Sequence, residues 1–148
     1  MASFQREILT PELWDELYPL FELHYKEIAL YQDIPLSPEK NLYFKAEEMG
    51  MLRVYTAREN SEVIGYAWFW IKPNPHYSTS LQAQQDIIFI HPERRGFGAK
   101  FIAWCDEQLT AEKVQVVSHH VKHAHNFGPL LERMGYKLMD LIYTRRLD

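Results

Sequence analysis

The sequence predicts an α/β fold in which helices flank a mixed, mostly antiparallel central sheet. Three observations carry this. Residues 63–71 form a long apolar run that faces residues 52–57 across the turn Glu59-Asn60-Ser61, the pattern of a hairpin. Residues 87–90 are four apolar β-formers that lead through a glycine turn into an amphipathic helix and back to an apolar strand at 114–118. Such a strand-helix-strand unit is usually parallel. The chain has 148 residues, 47% of them hydrophobic and 14% aromatic, which suits one domain with a sizeable core.

Taken in order, residues 3–9 alternate enough to predict a first strand. Thr10-Pro11 is a helix start, a capping hydroxyl followed by proline at the first helical position. Leu13, Leu17, Leu20, Phe21, His24, Tyr25 and Ile28 follow at helical spacing. Pro19 lies inside that run, so a kink or break is expected there. Residues 31–36 read as a loop, Ser37-Pro38-Glu39 opens a second helix, and Gly50 ends it. After the hairpin, residues 73–80 are polar and contain proline, hence a loop, and residues 81–91 form the next strand. The following helix carries the stripe Phe101, Ile102, Cys105 and Leu109. Residues 126–134 predict a helix with Gly128-Pro129 in its first turn and Gly135 as its stop. Residues 136–147 predict a closing strand, broken near Asp140.

The rest of the chain is organised around residues 87–100, IIFIHPERRGFGAK. Pro92 ends ladder pairing. Gly96 and Gly98 lack a Cβ and let the backbone approach a ligand closely. The helix that follows turns unpaired N–H groups and the positive end of its dipole toward the turn, an anion site suited to phosphate. Neither the P-loop pattern nor the three-glycine dinucleotide pattern is present. The stretch does resemble the acetyl-CoA loop of the GCN5-related N-acetyltransferases (the GNAT superfamily). Their pattern is Arg or Gln, two residues, Gly, one residue, then Gly or Ala. Arg95 and Gly98 match it, Lys100 departs at the last position, and HPERRG is typical of the family. HNFGPLLERMGY resembles the family's C-terminal segment, with Asn126, Glu132, Arg133, Gly135 and Tyr136 in the matching positions. The element order is also that of the family.

The resemblance implies a GNAT fold with a V-shaped splay between the two middle strands, and acetyl-CoA as co-substrate with its thioester in the gap. Backbone N–H groups of Arg95, Gly96, Phe97, Gly98, Ala99 and Lys100 would hold the pyrophosphate. Arg94, Arg95 and Lys100 would add charge. The strand through Phe89 and Ile90 would pair with the pantetheine arm, and Asn126 would contact that arm, cap a helix, or both. The implied activity is direct transfer of an acetyl group to a primary amine of a small molecule or protein, making the chain an N-acetyltransferase.

Such a reaction needs a base for the amine and a proton for the leaving thiolate. The family's usual acid, a Tyr, is Leu131 here, which leaves Tyr143, Tyr136 and Ser118 as alternatives. Asp86 is the only carboxylate on the strand before the glycine turn. Alternation puts it on one face with Gln84, Ile88 and Ile90. His119 or His120, at the end of the splayed strand, is a second candidate base. The candidate catalytic set is thus Asp86, His119 and Tyr143. The substrate pocket is expected between the first helix pair and residues 73–80, with Glu22, Glu27, Asp33, Glu47 and Glu48 as an acidic mouth or a solvated helix face. The alternative is a catalytically silent acyl-CoA-binding or protein-interaction module on the same fold, motivated by Leu131.

A net charge of −4 argues against a general nucleic-acid grip, although Lys122, Arg133, Lys137, Arg145 and Arg146 leave room for a local basic patch. The one cysteine forms no intrachain disulfide and reads as a core thiol. No run approaches the ~18 apolar residues of a membrane helix, and no signal core opens the chain. A cytoplasmic protein is expected, with acetyl-CoA and an amine as partners and a homodimer left open. Four histidines fall within residues 119–125, but no cysteine or paired carboxylate joins them, and no metal site is expected.

Overall fold

The computed structural model describes residues 1–148. The chain begins with β1 (Ser3–Arg6), shorter than the predicted strand. The Thr10 hydroxyl then accepts from the Leu13 N–H at 3.1 Å and starts α1 (Pro11–Ile28). This helix runs unbroken through Pro19, which corrects the expected break. Pro19 lies on the exposed face, so the carbonyl of Asp15 that it deprives of a partner reaches water. The opposite face buries Leu13, Trp14, Leu17, Leu20 and Phe21. Burial at roughly 1.5–3 kcal/mol per large side chain outweighs a proline cost of about 3 kcal/mol.

α2 (Lys40–Glu48) ends at Gly50, whose φ of 72° allows the Met51 N–H to reach the Ala46 carbonyl at 2.9 Å. β2 (Leu52–Glu59) and β3 (Glu62–Asn74) form the expected hairpin. Its two turn residues, Asn60 and Ser61, have φ of 52° and 69°, a turn whose twist suits a hairpin. β4 (Tyr77–Ile90) pairs with β3 as far as Asn74↔Tyr77, so the predicted loop at 73–80 is a second tight hairpin instead. An Asn74 side-chain amide that donates to Gln82 at 3.0 Å helps hold it.

α3 (Gly98–Ala111) then crosses to β5 (Val116–Ser118), which lies parallel to β4. The sheet order is β1-β2-β3-β4-β5, with every other pair antiparallel. One face packs on α1 and α2 through Trp14, Leu17, Phe21, Tyr66, Trp68 and Phe89. The other packs on α3 through Tyr55, Phe69, Phe101, Cys105 and Leu109. Trp68 and Phe69 thus point to opposite faces, and Cys105 is fully buried.

α4 (Gly128–Arg133) is followed by Gly135 at φ 97°. The predicted closing strand is absent, because residues 137–148 pair with nothing in the sheet. Tyr136 is anchored by its hydroxyl to Asp106 at 2.7 Å, and Arg146 reaches Asp33 at 2.6 Å while lying over the Tyr31 ring. The Tyr136 bond holds the start of the tail on α3, and the Arg146 contacts bring its end to the α1–α2 connection rather than along β5.

Candidate active site

The site begins with a bulge in β4. Ile87 pairs with Trp68 and Gln85 with Phe69, so Asp86 has no partner of its own in β3. An extra residue of this kind bends a strand and interrupts its alternation. Asp86 and Ile87 therefore share the α1–α2 side, whereas Ile88 and Ile90 pack on the α3 side. The single face expected for Gln84, Asp86, Ile88 and Ile90 is corrected by this bulge. Both Asp86 oxygens are held. The Tyr43 hydroxyl donates to Oδ2 at 2.8 Å and the Trp70 indole N–H to Oδ1 at 3.0 Å. Tyr43 stacks on Trp70 with ring centroids 5.5 Å apart. Burial, and then the charge of Asp86, pushes the Tyr43 hydroxyl well above its ordinary pKa and keeps it a donor.

Two residues before the bulge, β4 also loses its other neighbour. Backbone pairing with β5 ends at Gln84↔Ser118. Beyond it, the Gln85 side-chain oxygen accepts from the His120 N–H at 2.9 Å, and the Gln84 amide nitrogen lies 2.9 Å from His120 Nε2. Residues 85–90 of β4 have no β5 partner.

The strand ends in a 3₁₀ turn, Pro92–Phe97, and α3 starts at Gly98. A Cβ on Gly96 would meet nothing within 4 Å, and one on Gly98 only Ile90 Cδ1 at 3.5 Å. Both glycines thus leave open space at the turn-to-helix junction, and Gly98 and Lys100 lie in the first turn of α3. Ala99 and Lys100 are exposed and Phe97 is half-buried. Arg94 is exposed, 3.7 Å from Glu59. Arg95 is committed inward. Its Nε donates to the Ile90 carbonyl at 3.0 Å, its Nη2 meets Glu27 at 2.5 Å, and its guanidinium covers the Phe89 ring. Asn126 accepts the Gly128 N–H on its side-chain oxygen at 2.9 Å, a local turn that leads into α4, whose N-cap residue is Phe127.

The three candidate catalytic residues are not gathered together. Asp86 faces α2. His119 packs on the other side of the sheet, edge-on to Phe69, Phe127 and Tyr136, with neither ring nitrogen bonded. Burial, helped by the charge of His120, lowers its pKa to about 4. Tyr143 sits in the tail, 89% exposed. His120, not His119, shares the side of Gln84. The hydroxyl of Tyr136 is occupied by Asp106, and Leu131 is buried with no polar atom to offer. The histidines of 119–125 diverge, with His125 turned to Glu27. Glu27, Asp33 and Glu47 of the expected acidic mouth are each engaged, by Arg95, Arg146 and the Leu9 N–H.

Sequence reasoning places Tyr43 and Trp70 among the pocket and core aromatics but gives neither a bond to Asp86. Their polar tips were the available signal, since a buried phenol or indole N–H needs a partner. It also missed His24, whose Nδ1 lies 3.1 Å from the Tyr66 hydroxyl and whose ring lies on Phe89 with centroids 4.9 Å apart. Burial drives the His24 pKa down to about 4 against the opposing pull of Glu27. These groups line a cleft of about 2680 Å³ that runs from the α1–α2 aromatics past Gln84 and Ile87 to residues 119–122 and the tail. A single small-molecule pocket is usually about 300–1,000 Å³, so this cleft is larger than one compact ligand requires.

No family model and no curated protein matches the sequence. Solved structures do match over the whole chain. A ribosomal-protein-alanine N-acetyltransferase from Brucella melitensis biovar Abortus 2308 has 17% identity and a TM-score of 0.72, covering 100% of both chains. A predicted acetyltransferase from Clostridium acetobutylicum, with acetyl-CoA, has 11% identity and a TM-score of 0.72, covering 99% of this chain and 97% of that one. A transcriptional regulator from Bacillus halodurans C-125 has 14% identity and a TM-score of 0.75, covering 99% of this chain and 100% of that one. At such identities the likeness speaks to architecture, and the architecture is the GNAT fold of the acetyltransferases.

Proposed function

We propose that this chain is an acetyl-CoA-dependent N-acetyltransferase acting on a primary amine of a small molecule or protein. One observation carries the reading. β4 loses its β5 partner two residues before the Asp86 bulge, then runs directly into the Gly96–Gly98 turn and the N-terminus of α3. An unpaired strand edge is a hydrogen-bonding partner for the amides of a pantetheine arm. The open Cβ space at Gly96 suits close backbone approach to a pyrophosphate, which the dipole of α3 favours. Arg94 and Lys100 are the cations available to it, and Asn126, which forms the turn before α4, borders the arm. The bound co-substrate supplies an activated thioester.

Asp86 is the base in this reading. It takes the amine proton directly or through one water, while Tyr43 and Trp70 fix both of its oxygens and so its orientation. His120 beside Gln84 lines the same cleft. The buried Leu131 favours a second reading, a module that binds acyl-CoA without turnover.

Calorimetry with acetyl-CoA tests the first step, and absence of binding at millimolar concentration removes both readings. Thiol release with a broad amine panel then separates them. The enzyme reading expects turnover that falls about 10²–10⁴-fold in Asp86→Asn. Binding without thiol release for any amine favours the silent module.

A further inference from the structure

The unpaired stretch between β4 and the segment after β5 is tied by side chains at both ends. At the near end the ties are Gln84 and Gln85 to His120. At the far end both sides meet one carboxylate. Glu27, in the last turn of α1, receives Arg95 Nη2 on Oε2 at 2.5 Å and has His125 Nδ1 3.6 Å from Oε1. Arg95 extends the first tie into β4 through the Ile90 carbonyl and the Phe89 ring. His125 adjoins Asn126, whose side chain forms the turn that leads into α4. No other hydrogen bond or ion pair joins residues 90–98 to residues 122–128.

The placement is locally unfavourable. A carboxylate in the last turn of a helix faces the negative end of the dipole. Glu27 is only 22% exposed, and the Arg95 side chain 32%. The Arg95 guanidinium offsets that placement, and His125 approaches the same carboxylate from a separate segment.

We propose that Glu27 is a positioning residue, a latch that fixes the glycine turn and the Asn126 segment relative to each other at the open end of the β4–β5 gap. That these segments are the two walls of a cofactor-arm site rests on the function proposed above. The latch itself does not.

Hydrogen exchange on the full chain, without ligand, tests the latch. In Glu27→Ala, amides in residues 90–98 and in residues 122–128 should both exchange about tenfold faster, while the β2–β3 hairpin is unchanged. Glu27→Gln keeps an oxygen for Arg95 but loses the charge, so its rise should be smaller and again shared by both segments. No change, or a change in one segment alone, overturns the proposal. Faster exchange across β2–β3 in both variants also overturns it, since Glu27 then supports the whole fold. Calorimetry with acetyl-CoA tests the positioning. Glu27→Gln should bind about tenfold more weakly than wild type. Unchanged affinity with loosened segments overturns the positioning role. If wild type itself binds none, the enzyme reading fails and the latch is judged by exchange alone.

Discussion

Gly65 sits in β3 opposite Ile90, where β4 leaves the sheet for the glycine turn. A Cβ placed there would lie 2.9 Å from the Phe89 carbonyl oxygen, 3.3 Å from Ile90 Cγ1 and 3.4 Å from Ile90 Cα. The Ile90 side chain can rotate aside, but the carbonyl is backbone. Gly65→Ala therefore pushes the end of β4 outward by some tenths of an ångström. Overpacking of this kind costs about 1–3 kcal/mol. Replacing glycine also narrows the unfolded ensemble, which offsets about 0.4–1 kcal/mol. The net expectation is a loss of about 1–2 kcal/mol, or roughly 3–8 °C in melting midpoint for a chain of this size. Urea unfolding measures it, with Gly96→Ala as the control, because a Cβ at Gly96 meets nothing within 4 Å. The control should be as stable as wild type or more stable by up to about 1 kcal/mol. A Gly65→Ala protein as stable as wild type would show that the two strands do not approach this closely, and would refute the reasoning.

Two other predictions concern the whole fold. Burial holds His24 and His119 neutral, with pKa values driven from 6.5 to about 4. Between those limits the unfolded chain binds more protons than the native one, so stability is complete above pH 6.5 and falls as the pH drops toward 4, by roughly 3 kcal/mol per histidine. Urea unfolding at pH 7.5 and at pH 5 should show the loss, and His24→Phe should flatten the slope; a flat wild-type profile would mean that neither imidazole is buried. Truncation after residue 137 removes a segment that pairs with no strand. Its melting midpoint should stay within about 2 °C of wild type with an unchanged far-UV spectrum, and a large drop with loss of strand signal would show that the tail is part of the sheet.

Much of the frame was legible because its causes are local. The Thr10 hydroxyl, the positive φ at Asn60, Ser61 and Gly50, and the stripe of Phe101, Cys105 and Leu109 each act within a few residues of chain. So does the strand-to-glycine-turn junction that carries Gly96 and Gly98 into α3. The site was less legible because its decisive contacts are distant in sequence. The Asp86 bulge follows from how β4 registers against β3, and it reverses the side that simple alternation assigns to Ile88 and Ile90. Tyr43 reaches Asp86 across 43 residues, Arg95 turns inward to Glu27 across 68, and Arg146 draws the tail to Asp33 across 113. Residue types and periods determined α1, α2, α3, the β2–β3 hairpin and the glycine turn, but neither the β3–β4 hairpin nor the unpaired tail. Which side chains meet, and so that Tyr43 and Trp70 hold Asp86 while His119 is buried against Phe69 and Tyr136, was decided only when packing closed those long loops.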